Sequence, residues 1–233
     1  MKTHPATLRA QFAFTLIELI TVIAIIAILM ALLFPAMSGA REGARRGKAG
    51  TVVRNIVNSC KSYSTDYGKY PPVDSAKDGG GGATSESTLS FGDQAAGGCK
   101  ENNNELFDVL RAIARGSNAD HVLNKRQQKY FEESKATDPK NPRDGFCDGK
   151  EFDAEAQGRL MDPWGTQYCI VLDADGDETI KMTSFYTDQT DPIRYSAVAF
   201  ALAKDGKRGA KGYEGKLRKE KSNEPPDDIV SWQ

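Results

Sequence analysis

One carboxylate, Glu18, lies in an otherwise uncharged apolar run covering residues 14–34. As a helix those residues extend about 31 Å, the thickness of a bilayer's hydrocarbon core. A carboxylate at the centre of such a segment costs ~3 kcal/mol, so it persists for a partner. A second acidic set, Asp173, Asp175 and Asp177, arranges alternate carboxylates around Gly176. Calcium loops do the same, but this stretch lacks the length and terminal bidentate Glu of an EF-hand, and a solvated hairpin turn is the simpler account. The four cysteines, Cys60, Cys99, Cys147 and Cys169, show no C-x-x-C pair, and one of the two histidines, His121, is the only one beyond the apolar run. That pattern argues against zinc. In an oxidising compartment the four thiols could close up to two disulfides in any of three connectivities, Cys99–Cys147 being the pairing that would close the middle of the chain.

No nucleophile–base pair stands out: His121 is alone in a polar stretch and no Ser or Cys sits in a catalytic phrase. The chain reads as a non-enzyme. Lys+Arg 31 against Asp+Glu 32 leaves no net field, so no nucleic-acid partner is expected. The glycines at 79–82 are not followed by Gly-Lys-Ser/Thr, which excludes a phosphate-cradling loop.

These groups need elements to hold them. Beyond the apolar run, Pro35 is expected to kink the helix, and Gly39, Gly43 and Gly47 recur at four-residue spacing as either a close-packing face or a stretch able to unwind. Arg41, Arg45, Arg46 and Lys48 follow, opposed by Lys2 and Arg9 at the other end, so charge alone does not set topology. Val52, Val53, Ile56, Val57 and Cys60, extended by Tyr63 and Tyr67, form an amphipathic face that Gly68 and Pro71-Pro72 terminate. A helix is expected over 104–114 with Asn104 as its cap, and a second, short one between 120 and 133. Three strands, 167–172, 179–186 and 193–203, should form an antiparallel meander on the amphipathic helix face.

The phrase Ala13-Phe14-Thr15-Leu16-Ile17-Glu18-Leu19 resembles the class III signal of type IV pilins and type II secretion pseudopilins, departing from it in having Ala13 where Gly is usual. The resemblance implies cleavage between Ala13 and Phe14 by a prepilin peptidase, N-methylation of Phe14, and Glu18 as the assembly residue, with Pro35 at a position where many members carry proline. The new α-amino group of Phe14, with a reference pKa of ~7.7–8, would be the cation that meets a neighbour's Glu18. Tyr67-Gly68-Lys69-Tyr70-Pro71-Pro72 is similar to the helix ending of pseudopilins, and Asp162-Pro163-Trp164-Gly165 resembles the major, G-type pseudopilin. By the same resemblance Leu202, Asp205, Asp227 and Asp228 would be its calcium ligands, although residues 207–221 make an unusually basic insert for such a loop.

The expected fold is α+β: a long N-terminal transmembrane and spine helix packed under a small antiparallel three-stranded sheet. The expected divisions are a leader at 1–13, a transmembrane half-helix at 14–35, an amphipathic half at 36–72, a variable α/loop region at 73–158, and a β-meander with C-terminal loop at 159–233. The function the resemblance implies is a pseudopilin of a periplasmic filament that assists export across the outer membrane. The alternative is a type IV pilus subunit for adhesion, motility or DNA uptake. Implied partners are copies of itself and other pseudopilins in a helical filament, the prepilin peptidase, an inner-membrane assembly platform and inner-membrane lipid. The implied location is single-pass in the inner membrane with the C-terminal domain in the periplasm.

Overall fold

The structure, a computed structural model, describes residues 15–70, 88–210, 213–214, 217 and 228–232. The fold is α+β. Helix α1 (Leu16–Tyr67) is 52 residues long. The chain divides into two compact units, Met1–Ala44 and Arg45–Gln233, and α1 contributes to each.

In the first unit, the side chains of residues 16–34 are exposed, including Leu16, Ile17, Ile20, Ile25, Leu29 and Phe34. The segment contains a window of mean hydropathy 3.0, long and apolar enough to cross a membrane. The helix runs without a break through Pro35 and through Gly39, Gly43 and Gly47. A proline removes one N–H from the ladder, and glycine weakens it by about 1 kcal/mol, so a long helix with intact flanking bonds tolerates them. A Cβ added at any of these three glycines would meet nothing within 4 Å, so they are not needed for packing within the chain.

In the second unit, the remainder of α1 buries Ala49, Val52, Val53, Ile56, Val57, Cys60 and Tyr63, the face that the i, i+3, i+4 spacing specifies. It packs on an antiparallel four-stranded sheet ordered β1-β4-β5-β8, made of Thr88–Phe91, Cys169–Asp173, Ala197–Ala201 and Ile229–Val230. The register pairs Phe91 with Ile170, Ile170 with Ala199, and Ala201 with Ile229. The sheet is two-sided. Ile170, Leu172, Ala197, Ala199 and Ala201 share the helix-side core. Cys169, Val171, Val198 and Phe200 face a second core with Ile180, Met182, Phe185, Tyr186 and Leu217. Alternation along each strand sorts the residues, and alanines at alternate positions of β5 leave room for the helix.

Four expectations change here. The sheet gains two edge strands: β1, whose Thr-Leu-Ser-Phe alternation spans only four residues, and the two-residue β8. Residues 179–186 are not a strand: Ile180 makes a single bridge to Ile193, and the chain then turns, with the N–H groups of Phe185 and Tyr186 both donating to the Met182 carbonyl. Their alternation reflects Ile180 and Met182 plugging the second core without a ladder. The region around 120–133 holds no α-helix. Gly116–His121 is a short 3-10 segment, and positive φ at Asp120, His121 and Gln127 stops helix propagation. Helix α2 (Asn103–Leu110) begins one residue before the expected cap and ends four residues early. The smaller pairs are β2 (Gly145–Phe146) with β3 (Leu160–Met161) and β6 (Gly209–Ala210) with β7 (Tyr213–Glu214).

Candidate functional site

Glu18 stands in the first turn of α1. Its Oε2 accepts the Thr15 backbone N–H at 2.8 Å and the Thr15 hydroxyl at 2.7 Å, while the Glu18 N–H donates to Thr15 Oγ1 at 3.3 Å. This reciprocal Thr-x-x-Glu arrangement is a capping box. It satisfies a donor at the helix start and sets a negative charge against the positive end of the helix dipole. The signal for it is the Thr-x-x-Glu spacing of Thr15 and Glu18, which the surrounding apolar run obscures. Around it, Leu16, Ile17, Leu19 and Ile20 expose their side chains, so the carboxylate sits on an apolar helix with no covering residue among the described ones. Ala13 and Phe14, the expected cleavage and methylation residues, lie outside the described residues.

Residues 8–34 match the prokaryotic N-terminal methylation motif. This match supports the type IV pilin-like superfamily, a class of structural subunits that are processed by a prepilin peptidase and assemble into filaments. It fits a protein held by a single apolar helix. No curated protein and no solved structure matches the chain significantly.

The Asp-Pro-Trp-Gly phrase forms a self-contained turn before β4. Asp162 is fully buried, and its Oδ1 accepts the N–H groups of Trp164, Gly165 and Thr166 at 2.9, 2.8 and 2.9 Å. The Thr166 hydroxyl donates to Oδ2 at 2.5 Å. Gly165 has φ +100°, which a side chain would strain. Burial pushes the Asp162 carboxyl up, and these donors oppose the shift. Trp164 then joins the helix-side core. A buried amide missed by the sequence, Asn103, completes the join: its Nδ2 donates to the carbonyls of Leu160 and Tyr168, and its Oδ1 accepts the Leu160 N–H.

The carboxylates of Asp173, Asp175 and Asp177 come together, with one oxygen of each lying within 4.8 Å of the others. The turn is already held by its own bonds. Asp173 accepts the N–H groups of Gly176 and Glu178 at 2.8 Å each, and Asp177 accepts the N–H and hydroxyl of Thr179. Burial pushes the Asp173 carboxyl up, with Asp175 adding to the shift, whereas the Thr179 donors pull Asp177 down. These bonds hold the three carboxylates in a hydrogen-bonded turn.

At the C-terminal end Leu202 is buried, and Asp205 is exposed and caps its own turn by accepting the Lys207 N–H at 3.0 Å. Asp228 is buried, and its Oδ2 takes the Tyr186 hydroxyl and the Gly209 N–H, both at 2.7 Å. Asp227 lies outside the described residues. Asp228 therefore already serves as the acceptor that ties the last strand to the second core. Trp232 packs edge-on against Tyr186 and Phe200, each 6.2 Å away.

All four cysteines are buried free thiols. Cys60 lies in the helix-side core, Cys147 beside Ala136 and Phe152, and Cys99 with Cys169 in the second core.

Proposed function

We propose that the protein is a pseudopilin, a structural subunit of a type II secretion-like filament in the periplasm that assists export across the outer membrane. The observation that carries the proposal is Glu18 on an exposed apolar helix inside the methylation motif. Cleavage between Ala13 and Phe14 frees an ammonium that is methylated. The Glu18 carboxylate of one subunit then meets the Phe14 ammonium of another as the helix leaves the lipid for the filament core. The partners are further copies, other pseudopilins, the prepilin peptidase, the inner-membrane assembly platform and membrane lipid. Two features favour this over a type IV pilus subunit. The phrase Asp162-Pro163-Trp164-Gly165 resembles that of major pseudopilins, and no cysteine follows Cys169 to close the C-terminal disulfide loop of many adhesive pilins.

Charge and capping are separable. Glu18→Gln retains an oxygen for Thr15 but removes the charge, whereas Glu18→Ala removes both. Both variants should be processed and inserted normally, and both should fail to form filaments when the assembly machinery is overproduced. Filaments from Glu18→Gln would reduce Glu18 to a helix cap. Calcium belongs to this proposal as a stabiliser of the loop bearing Leu202, Asp205, Asp227 and Asp228. Its addition should raise the melting temperature, and an unchanged melting curve would remove it.

A further inference from the structure

The connection between β1 and α2 folds back over the first residue of β4. The Gly92 N–H donates to the Glu101 carbonyl at 2.7 Å, the Cys99 N–H to the Asp93 carbonyl at 3.1 Å, and the Ala96 N–H to Asp93 Oδ1 at 2.7 Å. This places Cys169 under the loop. A Cβ on Gly92 would lie 2.7 Å from the Cys169 Cα and 2.9 Å from its Sγ, and a Cβ on Gly97 would collide with the same sulfur. Glycine at both positions lets the backbone close on the thiol. Arg208 holds the loop from another side, its Nε donating to the Ala96 carbonyl at 3.1 Å. Cys99, two residues after Gly97, is 5% exposed and Cys169 fully buried, and both belong to the second core. Besides burial, the neighbouring Cys99 thiol pushes the Cys169 thiol up.

We propose that Cys99 and Cys169 are a disulfide pair that fastens the 92–101 loop to the central strand β4, leaving Cys60 and Cys147 as thiols. The two remaining cysteines lie in separate cores, apart from each other and from this pair. A metal site is the competing use of paired thiols, but no third His, Cys, Asp or Glu joins them in a ligating group among the described residues. The step is an exchange: the two thiols lose two protons and two electrons as the Sγ–Sγ bond forms, and an external disulfide is reduced to two thiols. Burial pushes the Cys169 thiol well up, so the folded dithiol is a poor nucleophile and the bond forms before the loop closes. The pairing follows from packing and holds for a pilin as well as for a pseudopilin.

The test is refolding of the full chain in detergent from denaturant and reductant, with oxidised and reduced glutathione as the exchange couple. Remaining thiols are then blocked with N-ethylmaleimide under denaturing conditions. Trypsin places each cysteine on its own peptide: residues 55–61, 78–100, 144–150 and 160–181. The expected map joins 78–100 to 160–181 and shows 55–61 and 144–150 alkylated. Four alkylated peptides, or a link between any other two, would overturn the pairing. The oxidised protein should also melt on the order of 10 °C above the Cys99→Ser/Cys169→Ser variant, and coincident melting curves would contradict a fastening role.

Discussion

Residues 16–34 and 49–63 belong to one α-helix, yet their apolar side chains meet opposite fates. In the first stretch they are exposed all round; in the second Val52, Val53, Ile56, Cys60 and Tyr63 are buried on one face. The difference lies in patterning. A helix apolar on every side has no polar face to offer water, so no single sheet can cover it, and it needs lipid or other helices around it. A helix with one apolar stripe is satisfied by one sheet, and the alanines of β5 are shaped to receive it. Hydrophobicity marks what must leave water, and periodicity marks what covers it.

The comparison can be broken most directly by moving a charge between the two stretches. Ile56→Asp should prevent the globular unit from folding, at a cost above about 4 kcal/mol for an unpaired buried carboxylate. Ile25→Asp should leave the melting of that unit unchanged and impair membrane insertion by ~3 kcal/mol. Circular dichroism melts of both in detergent would expose any similarity. A smaller effect sharpens the role of turns in positioning the sheet. Asp162→Ala strands the N–H groups of Trp164, Gly165 and Thr166 and should lower denaturant stability by about 2–4 kcal/mol. Smallest near neutral pH, where it vanishes, is a pH effect on the buried stretch. Burial pushes the Cys60 thiol up to about 12, so the folded chain keeps a proton that the unfolded chain releases above pH ~9. Stability should therefore fall as pH rises from about 9 to 12, and Cys60→Ala should flatten that slope by about one proton. An unchanged slope would show that the thiol titrates normally.

The helix, its buried face and the strands β4 and β5 were legible because 3.6- and 2-residue periods ran long enough to read, whereas the direct pairing of β4 with β5 was not, since the expected meander sets 179–186 between them. The edge strand at 88–91 was too short, and residues 179–186 alternated for packing without a ladder to pair with. Around the candidate site, the charge of Glu18 stands out in the apolar run and hides its capping bond to Thr15. Asn103 is not legible, because a buried amide linking two segments 57 and 65 residues away leaves no local signal. Likewise, nothing in the spacing of Cys99 and Cys169 announces that a glycine-lined loop brings them together.

The central claim is that the apolar helix is the processed start of a filament subunit. Its most direct test is the intact mass of the protein isolated from membranes of cells that carry a prepilin peptidase. The account predicts a chain beginning at Phe14 with one added methyl group. A chain still beginning at Met1, or one cut beyond residue 34, would contradict it.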